Sequence, residues 1–327
     1  MYHILLSKPL APGEFALQQT KIRIGTRASK LALAQAHEVR DRLLAVHGDL
    51  GPDQIEIVEI STKGDRILDR PLAEIGGKGL FTAEIEAGLA DGSLDLAVHS
   101  LKDMPTELPR GLTLACVLER EDPRDVFISP KATSLDGLPD GAVVGTASLR
   151  RQAQVLAARP DLRVVTFRGN VQSRLRKLSD GVVDATLLAY AGLRRLGMEN
   201  EATTVMDTDV MLPAVAQGAI TIETRDGDED MARRLAPLNH RETEICVTAE
   251  RALLAALEGS CRTPIAAYAV LKGGRLHLRA RMLSPDGRQC YEATREGLPA
   301  DAIAMGRDAG SEIRCTAGDA FFDILKV

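Results

Sequence analysis

A strand pattern that runs through a short polar turn into a helix recurs along this chain, and it dictates an α/β architecture. Lys21-Ile-Arg-Ile-Gly25 alternates as a strand, Ser29 is placed to cap a helix, and Lys30 to Val46 keeps helical spacing. The same reading predicts a strand over Ile55–Ile60, a helix over Leu80–Leu89, a strand ending in Ala97-Val-His99-Ser100 and another over Leu112–Leu118. Such alternation builds a largely parallel sheet covered by helices. Ser61 to Gly79 has Gly64, Pro71, Gly76, Gly77 and Gly79 among charges. A connection of that length is usually functional or mobile.

After the connectors Asp122-Pro123 and Ser129–Pro139 the pattern restarts. Ala142-Val-Val-Gly145 is strand-like and a helix follows from Ser148. Leu162–Phe167 and Val183–Ala189 read as strands, and Asn170–Leu178 as a helix. The apolar stretch Val210–Ile222, broken by Pro213 and Gly218, leads back toward the first block. Beyond Arg241 the order changes. A long helix over Glu242–Leu257 precedes two strand–turn–strand signals, Lys272-Gly-Gly-Arg275 and Ser284-Pro-Asp-Gly287, and a last helix over Asp301–Arg314. The sequence carries no visible internal repeat. The expectation is two α/β lobes plus a smaller α+β C-terminal domain. Residues 1–20 are read as an extension, residues 21–118 with 219–237 as the first lobe, residues 119–218 as the second, and residues 238–327 as the third domain.

With 327 residues, 45% hydrophobic and 27% charged, the chain has material for several cores and is neither disordered nor a disulfide miniprotein. Five cysteines, an odd number with no C-x-x-C pair, suit free thiols in a reducing compartment. Met1 to Thr20 has one short apolar run, Ile4-Leu5-Leu6, with no basic residue before it, and no run reaches 18 apolar residues. A cytoplasmic protein away from membranes is expected. Net charge −5 and 3% aromatics without Trp argue against nucleic acid as a partner. Yet Arg150 to Arg195 holds nine Arg and one Lys against three Asp, a net +7, leaving −12 elsewhere. That window calls for anions.

The basic residues cluster where strands run into helices. Thr26-Arg27-Ala28-Ser29 and Thr146-Ala-Ser148-Leu-Arg150-Arg151 both lie at strand-to-helix turns, where free backbone N–H groups favour anions. Arg168-Gly-Asn170 with Arg174 and Arg176 forms a third group, and Arg194-Arg195 follows a strand. Ligands in open α/β sheets bind beyond the carboxyl ends of strands, and the planar Arg fork suits carboxylates. A polycarboxylate or phosphorylated ligand is the expectation. Nucleotide loops are excluded: Gly76-Gly77-Lys78-Gly79 lacks the Ser or Thr after Lys, and no G-x-G-x-x-G occurs. The six histidines form no metal-ligand motif, so no metal is expected, and His99 reads as a structural histidine. Lys102-Asp103, at the end of an apolar strand, suits a surface ion pair as well as a site where the carboxylate faces a cationic nitrogen and Lys102 a substrate carboxylate. Cys261, beside Arg262 in a loop after a helix, is either an ordinary loop thiol or an activated nucleophile.

Taken together, these segments resemble the porphobilinogen deaminase (hydroxymethylbilane synthase) family from about Lys21 onward, more weakly after Gly273. Most specific is Glu250-Arg251-Ala-Leu-Leu-Ala-Ala-Leu257-Glu-Gly259-Ser260-Cys261-Arg-Thr263-Pro264-Ile265-Ala266, which is similar to the family's cofactor-attachment signature. Ala97–Pro105, Glu121–Asp125, Gly145–Arg151, Arg168-Gly-Asn170 and Leu212–Gly218 match in order. The resemblance implies two periplasmic-binding-protein-like lobes around a cleft and a third domain carrying the cysteine. It implies head-to-tail condensation of four porphobilinogen molecules with release of ammonia, on a dipyrromethane primer held by a thioether to Cys261. Asp103 would be the catalytic aspartate. Lys102, Thr146, Ser148, Arg150, Arg151 and Arg174 would hold the cofactor, and Arg27, Ser29, Arg168, Arg174, Arg195, Lys78 and Phe81 the substrate. Residues 61–79 would be the mobile loop over the cleft, and the enzyme a monomer.

The residue chemistry agrees. Each porphobilinogen brings two carboxylates, so a growing chain needs a row of cations, and loss of ammonia leaves a cation that a fixed carboxylate stabilises. A non-catalytic two-lobed polycarboxylate-binding protein would use the same arginines but has no use for Cys261 in that signature or for Lys102-Asp103. An RNA-binding module would need aromatics that are scarce here.

Overall fold

The computed structural model describes residues 21–66, 80–259 and 263–325. Strand β1 (Ile22–Arg27) runs into helix α1 (Lys30–Val46), with the Ser29 hydroxyl accepting from the Ala32 N–H at 3.2 Å. Strand β2 (Ile55–Ile60) pairs parallel with β1, Ile22 opposite Ile55. Short helix α2 (Lys63–Arg66), helix α3 (Ala83–Ala90), strand β3 (Leu96–Ser100) and strand β4 (Leu112–Val117) follow. The chain then crosses to the second lobe: β5 (Asp125–Ile128), β6 (Val143–Gly145), α4 (Leu149–Ala158), β7 (Arg163–Val165), α5 (Val171–Ser179), β8 (Ala185–Ala189), α6 (Tyr190–Arg195) and β9 (Thr204–Val205). It crosses back into β10 (Ile220–Arg225) and α7 (Glu229–Leu235).

Both lobes have the same sheet. The orders β2-β1-β3-β10-β4 and β7-β6-β8-β5-β9 superpose strand for strand, and in each the fourth strand is antiparallel to its neighbours. The local pattern predicted largely parallel sheets; the sheets are mixed because β10 and β5 arrive from the crossings. The two lobes also repeat in topology, although the sequence showed no repeat. Their chemistry-bearing turns lie at the carboxyl ends of β1, β3 and β6.

The third domain places helix α8 (Arg241–Ala256) and helix α9 (Ala302–Ala317) against an antiparallel sheet of β11 (Ile265–Lys272), β12 (Arg275–Leu283) and β13 (Cys290–Gly297), with α10 (Asp319–Leu325) last. Helices α8 and α9 touch closely: a Cβ on Gly306 would come within 2.2 Å of the Ala249 carbonyl oxygen. The core of this domain does not stop at its own edge. Leu101, Met104 and Val117 from the first lobe and Val215, Ala216 and Ala219 from the return crossing belong to the same apolar cluster as Ala249, Leu253 and Leu278. Contacts with the helices of the second lobe include the Gln152 side-chain amide donating to the Pro285 carbonyl at 3.2 Å. No helix among the described residues is long and apolar enough to cross a membrane.

Candidate active site

Strand β3 is buried throughout except at its last residue and ends in a single helical turn, Leu101–Asp103. Leu101 is the anchor: its side chain is buried in the shared core and its N–H bonds the Ala219 carbonyl at 2.9 Å. That fixes Lys102 and Asp103 where the two chain crossings meet. The Lys102 ammonium lies 3.5 Å from Gln217 Oε1. Gln217 in turn donates to the Pro123 carbonyl at 2.7 Å and to Asp125 Oδ1 at 2.9 Å.

Asp125 is the hub. It is fully buried at the start of β5, and the guanidinium groups of Arg150 and Arg151 reach its two oxygens at 2.7 and 2.8 Å. Both arginines come from the first turn of α4, where Ser148 caps the helix by accepting from the Arg151 N–H. Their other donors go to backbone: Arg150 to the Leu212 carbonyl at 2.7 Å and Arg151 to the Leu187 carbonyl at 2.9 Å. Burial alone would raise the Asp125 carboxyl, but the two arginines outweigh it and hold the group well below the usual carboxylate range.

One carboxylate does not balance the cations around it. Burial pushes the Lys102 ammonium down to about 8, opposed by Asp103 and reinforced by Arg151. Burial, with Arg151 beside it, likewise lowers Arg174 to about 10. The Nε atoms of Arg150 and Arg174 are buried without a hydrogen-bond partner among the described residues. Lys102, Arg150, Arg151 and Arg174 thus face Asp125 and Asp103, an excess of cations with donors to spare. Buried charge of one sign is costly unless paired. The residues fit a ligand that carries several carboxylates, as a dipyrromethane with its acidic side chains does.

The remaining expected residues divide. The Arg27 guanidinium stacks over the Phe81 ring, 4.2 Å from its centre. Ser29 caps α1, Thr146 is buried with its hydroxyl accepting from the Ser148 N–H, and Asn170 caps α5, which carries Arg174 inward. Arg195, expected on substrate, donates to the Gly218 carbonyl at 3.0 Å and to Glu38 of α1 at 3.3 Å, so it ties the lobes together. It nevertheless lines a cavity shared with Gln35, Ser100 and Lys102. The basic window is only partly a wall of this site: Arg159 pairs with Asp161 at 2.7 Å, and Arg163 and Arg176 are exposed. Arg168 engages partners of its own. His99 bonds Glu223 at 3.0 Å inside the first lobe, as a structural histidine.

Lys78, Cys261 and most of the 61–79 segment lie outside the described residues. The approach to Cys261 is built nonetheless. Helix α8 ends with the Gly259 N–H on the Leu254 carbonyl and the Glu258 N–H on the Ala255 carbonyl, with Glu258 in the left-handed region at φ 51°. A residue that is usually Gly there is instead Glu, a strained stop three residues before the thiol. The four described cysteines, Cys116, Cys246, Cys290 and Cys315, are free, and burial pushes Cys116 up to about 12 and Cys246 up to about 11.

Sequence reasoning missed two members of the site. Asp125 belongs to a quoted motif yet reads as a turn residue, and Gln217 sits in the Leu212–Gly218 segment without a predicted role. The signal that would have found Asp125 is the demand of Arg150-Arg151, an adjacent buried pair, for an anion.

Comparison with known proteins gives the site its context. The family described as "Porphobilinogen deaminase, dipyromethane cofactor binding domain" matches residues 22–233, and "Porphobilinogen deaminase, C-terminal domain" matches residues 244–314. The chain is 56% identical to the porphobilinogen deaminase of Nitrobacter hamburgensis, covering 92% of this chain and 95% of that protein. It is 57% identical to that of Paracoccus denitrificans, covering 93% and 97%, and 57% identical to the chloroplastic enzyme of Oryza sativa subsp. japonica, covering 93% and 86%. Among solved structures it is similar to the periplasmic aliphatic sulphonate binding protein SsuA of Escherichia coli, with 15% identity, a TM-score of 0.40 and coverage of 73% and 70%. Matched in both its lobed part and its C-terminal part, the chain belongs to the porphobilinogen deaminase family.

Proposed function

We propose that Asp103, Lys102 and the buried arginines are the working parts of this family's transferase reaction. That reaction joins four porphobilinogen molecules head to tail, releases ammonia at each step and then, with water breaking the bond to the primer, delivers linear hydroxymethylbilane, a tetrapyrrole (haem) precursor. A dipyrromethane, bound through a thioether to Cys261, supplies the pyrrole end on which the chain grows. In each condensation the substrate's carbon–nitrogen bond breaks, ammonia leaves, a carbon–carbon bond forms and a pyrrole proton departs. Asp103, fixed by Leu101 on the end of β3, faces the positive charge that develops on the pyrrole nitrogen and moves that proton. Lys102, Arg150, Arg151 and Arg174 hold acetate and propionate groups through the donors they have to spare, with Thr146 and Ser148 shaping the turn that presents them. Arg27, Ser29, Phe81, Arg168 and Arg195, with Lys78, orient the incoming monomer.

The observation that carries this reading is the surplus of buried cations around Asp125. A polyanion would balance that arrangement, and the adjacent carboxylate on a rigid turn is the group a bare binding protein lacks. We further read residues 21–118 with 219–237 and 119–218 as the two lobes and 238–327 as the third domain, in agreement with strand membership. The working form is a cytoplasmic monomer.

The test is the intact mass of the purified protein. It should exceed the sequence mass by a dipyrromethane, and Cys261→Ala should abolish both the excess and ammonia release from porphobilinogen. Fully active protein of unmodified mass would overturn the assignment of Cys261.

A further inference from the structure

The Ser284–Gly287 turn between β12 and β13 touches neither Asp103 nor the arginines, yet it is the tip by which the third domain meets the second lobe. Hydrogen bonds within the turn stiffen it. Ser284 and Gln289 bond through backbone at 2.9 Å, the Gly287 N–H bonds the Ser284 carbonyl at 2.9 Å, the Gln289 N–H bonds the Ser284 hydroxyl at 3.0 Å, and the Arg288 N–H bonds Asp286 at 3.1 Å. The tip lies against α4. A Cβ on Gly287, whose φ is +73°, would stand 2.4 Å from the Ala157 nitrogen, 2.6 Å from the Ala153 carbonyl oxygen and 2.8 Å from the Leu156 carbonyl carbon. Every one of those atoms is backbone, so no side-chain rotation relieves the clash. Gln152, on the same helix, donates to the Pro285 carbonyl, and Arg281 of β12 reaches Gln154 at 3.3 Å.

The other end of this turn meets the start of β11. The Leu283 N–H, one residue before Ser284, bonds the Pro264 carbonyl at 3.1 Å, and Ile265 pairs with Met282. Pro264 is three residues after Cys261. A continuous path therefore runs from Pro264 through Leu283 and the turn to α4, whose first turn carries Arg150 and Arg151. Helix α4 has ten residues, about 15 Å, so a tilt at Gly287 is delivered to the arginines. The third domain also holds residues 119–218 through Arg120 on Glu250, the Ala267 N–H on the Pro213 carbonyl at 3.1 Å and Arg279 on Asp209, but of these contacts the turn is the one that bears on α4.

We infer that the Ser284–Gly287 turn is a strut that fixes α4, and with it the Arg150-Arg151 pair, against the third domain, with Gly287 and Gln152 as its positioning residues. The inference rests on the functional reading above. It assigns the turn a role in chain elongation.

The test compares Gly287→Ala with Gly274→Ala in the full-length, primer-loaded protein. Gly274 lies in the β11–β12 turn of the same domain at φ +76° with nothing within 4 Å of its would-be Cβ, so it reproduces the backbone strain without the contact. Gly287→Ala should keep the primer mass, lower kcat for porphobilinogen at least fivefold with KM within twofold, and accumulate enzyme carrying partial chains in the mass spectrum. Amides of Leu149–Ala158 should exchange several-fold faster, and Gly274→Ala should do none of this. Gln152→Ala, which keeps the turn, should move the same readouts in the same direction by two- to threefold, and it serves should Gly287→Ala fail to fold. Equal behaviour of Gly287→Ala and Gly274→Ala, or an unaltered Gln152→Ala, overturns the strut. A parent protein without the dipyrromethane mass overturns the functional reading instead, and exchange in α4 still decides whether the turn holds the helix.

Discussion

The Arg251 guanidinium donates to the Pro105 carbonyl at 2.7 Å and to the Met104 carbonyl at 3.3 Å, so helix α8 of the third domain grips the backbone just after Asp103. Ten residues further along, the same segment carries Cys261. Charged hydrogen bonds of this kind contribute about 1.5–3 kcal/mol, and losing them strands buried carbonyls. Arg251→Ala should therefore destabilise the protein by about that amount in urea titrations. Its loss in kcat should be larger than that of a core truncation of similar stability cost, such as Ile313→Ala.

Asp103→Asn should leave the unfolding midpoint and the primer mass in place. Turnover should fall by about 10² to 10⁴, the range that a positioned proton-transfer group supplies. Steady-state ammonia release measures it, and near-normal turnover would remove Asp103 from the chemistry.

For Asp125 the expected effect is structural. Removing its charge leaves Arg150 and Arg151 buried without an anion, which costs about 3–5 kcal/mol. Asp125→Asn should lose that stability at pH 7. The sign with pH follows from the depressed carboxyl. Its contribution is fully present above the unfolded value of about 3.9 and disappears as pH falls toward the lower folded value. Acid below pH 4 should thus weaken the parent more steeply than the variant, as denaturant midpoints across pH 2–7 will tell.

Lys102 gives the opposite sign. Its ammonium is pushed by burial down to about 8, against an ordinary value of about 10.4. The protonated form costs stability below pH 8, and that cost is relieved as pH rises through this window. Lys102→Gln should accordingly be no less stable than the parent at pH 7, yet bind porphobilinogen poorly. In the parent, kcat/KM should fall as pH passes about 8, and Lys102→Arg, which does not titrate there, should flatten that limb.

Local elements were legible in the sequence wherever one residue fixed an end. Ser29 and Ser148 cap the helices they were expected to cap, and Ile55–Ile60 is the strand its alternation predicts. What escaped depends on distant chain. Strand β5 has four residues, buried on both faces, and shows no period that a reader could count. Its Asp125 acquires meaning only from arginines 25 and 26 residues later. Arg195 lies in the basic window and lines the cavity with Lys102; that it also ties the lobes together is visible only from the approach of Glu38 and Gly218. The helix predicted over Asp301–Arg314 runs on to Ala317, and helix α10, which no local pattern announced, has its role in Phe321, which packs edge-on against Tyr291.

The different place in the chain of the fourth strand in each lobe has a consequence on the ribosome. Every strand of the second lobe's sheet lies between Asp125 and Val205, so that sheet can close as soon as this stretch has emerged. In the first lobe, β10 inserts between β3 and β4, and β4 has no sheet partner until Ile220–Arg225 is synthesised. The lobe that begins first is therefore completed second, and β4 waits, with an open edge, through more than a hundred residues of synthesis.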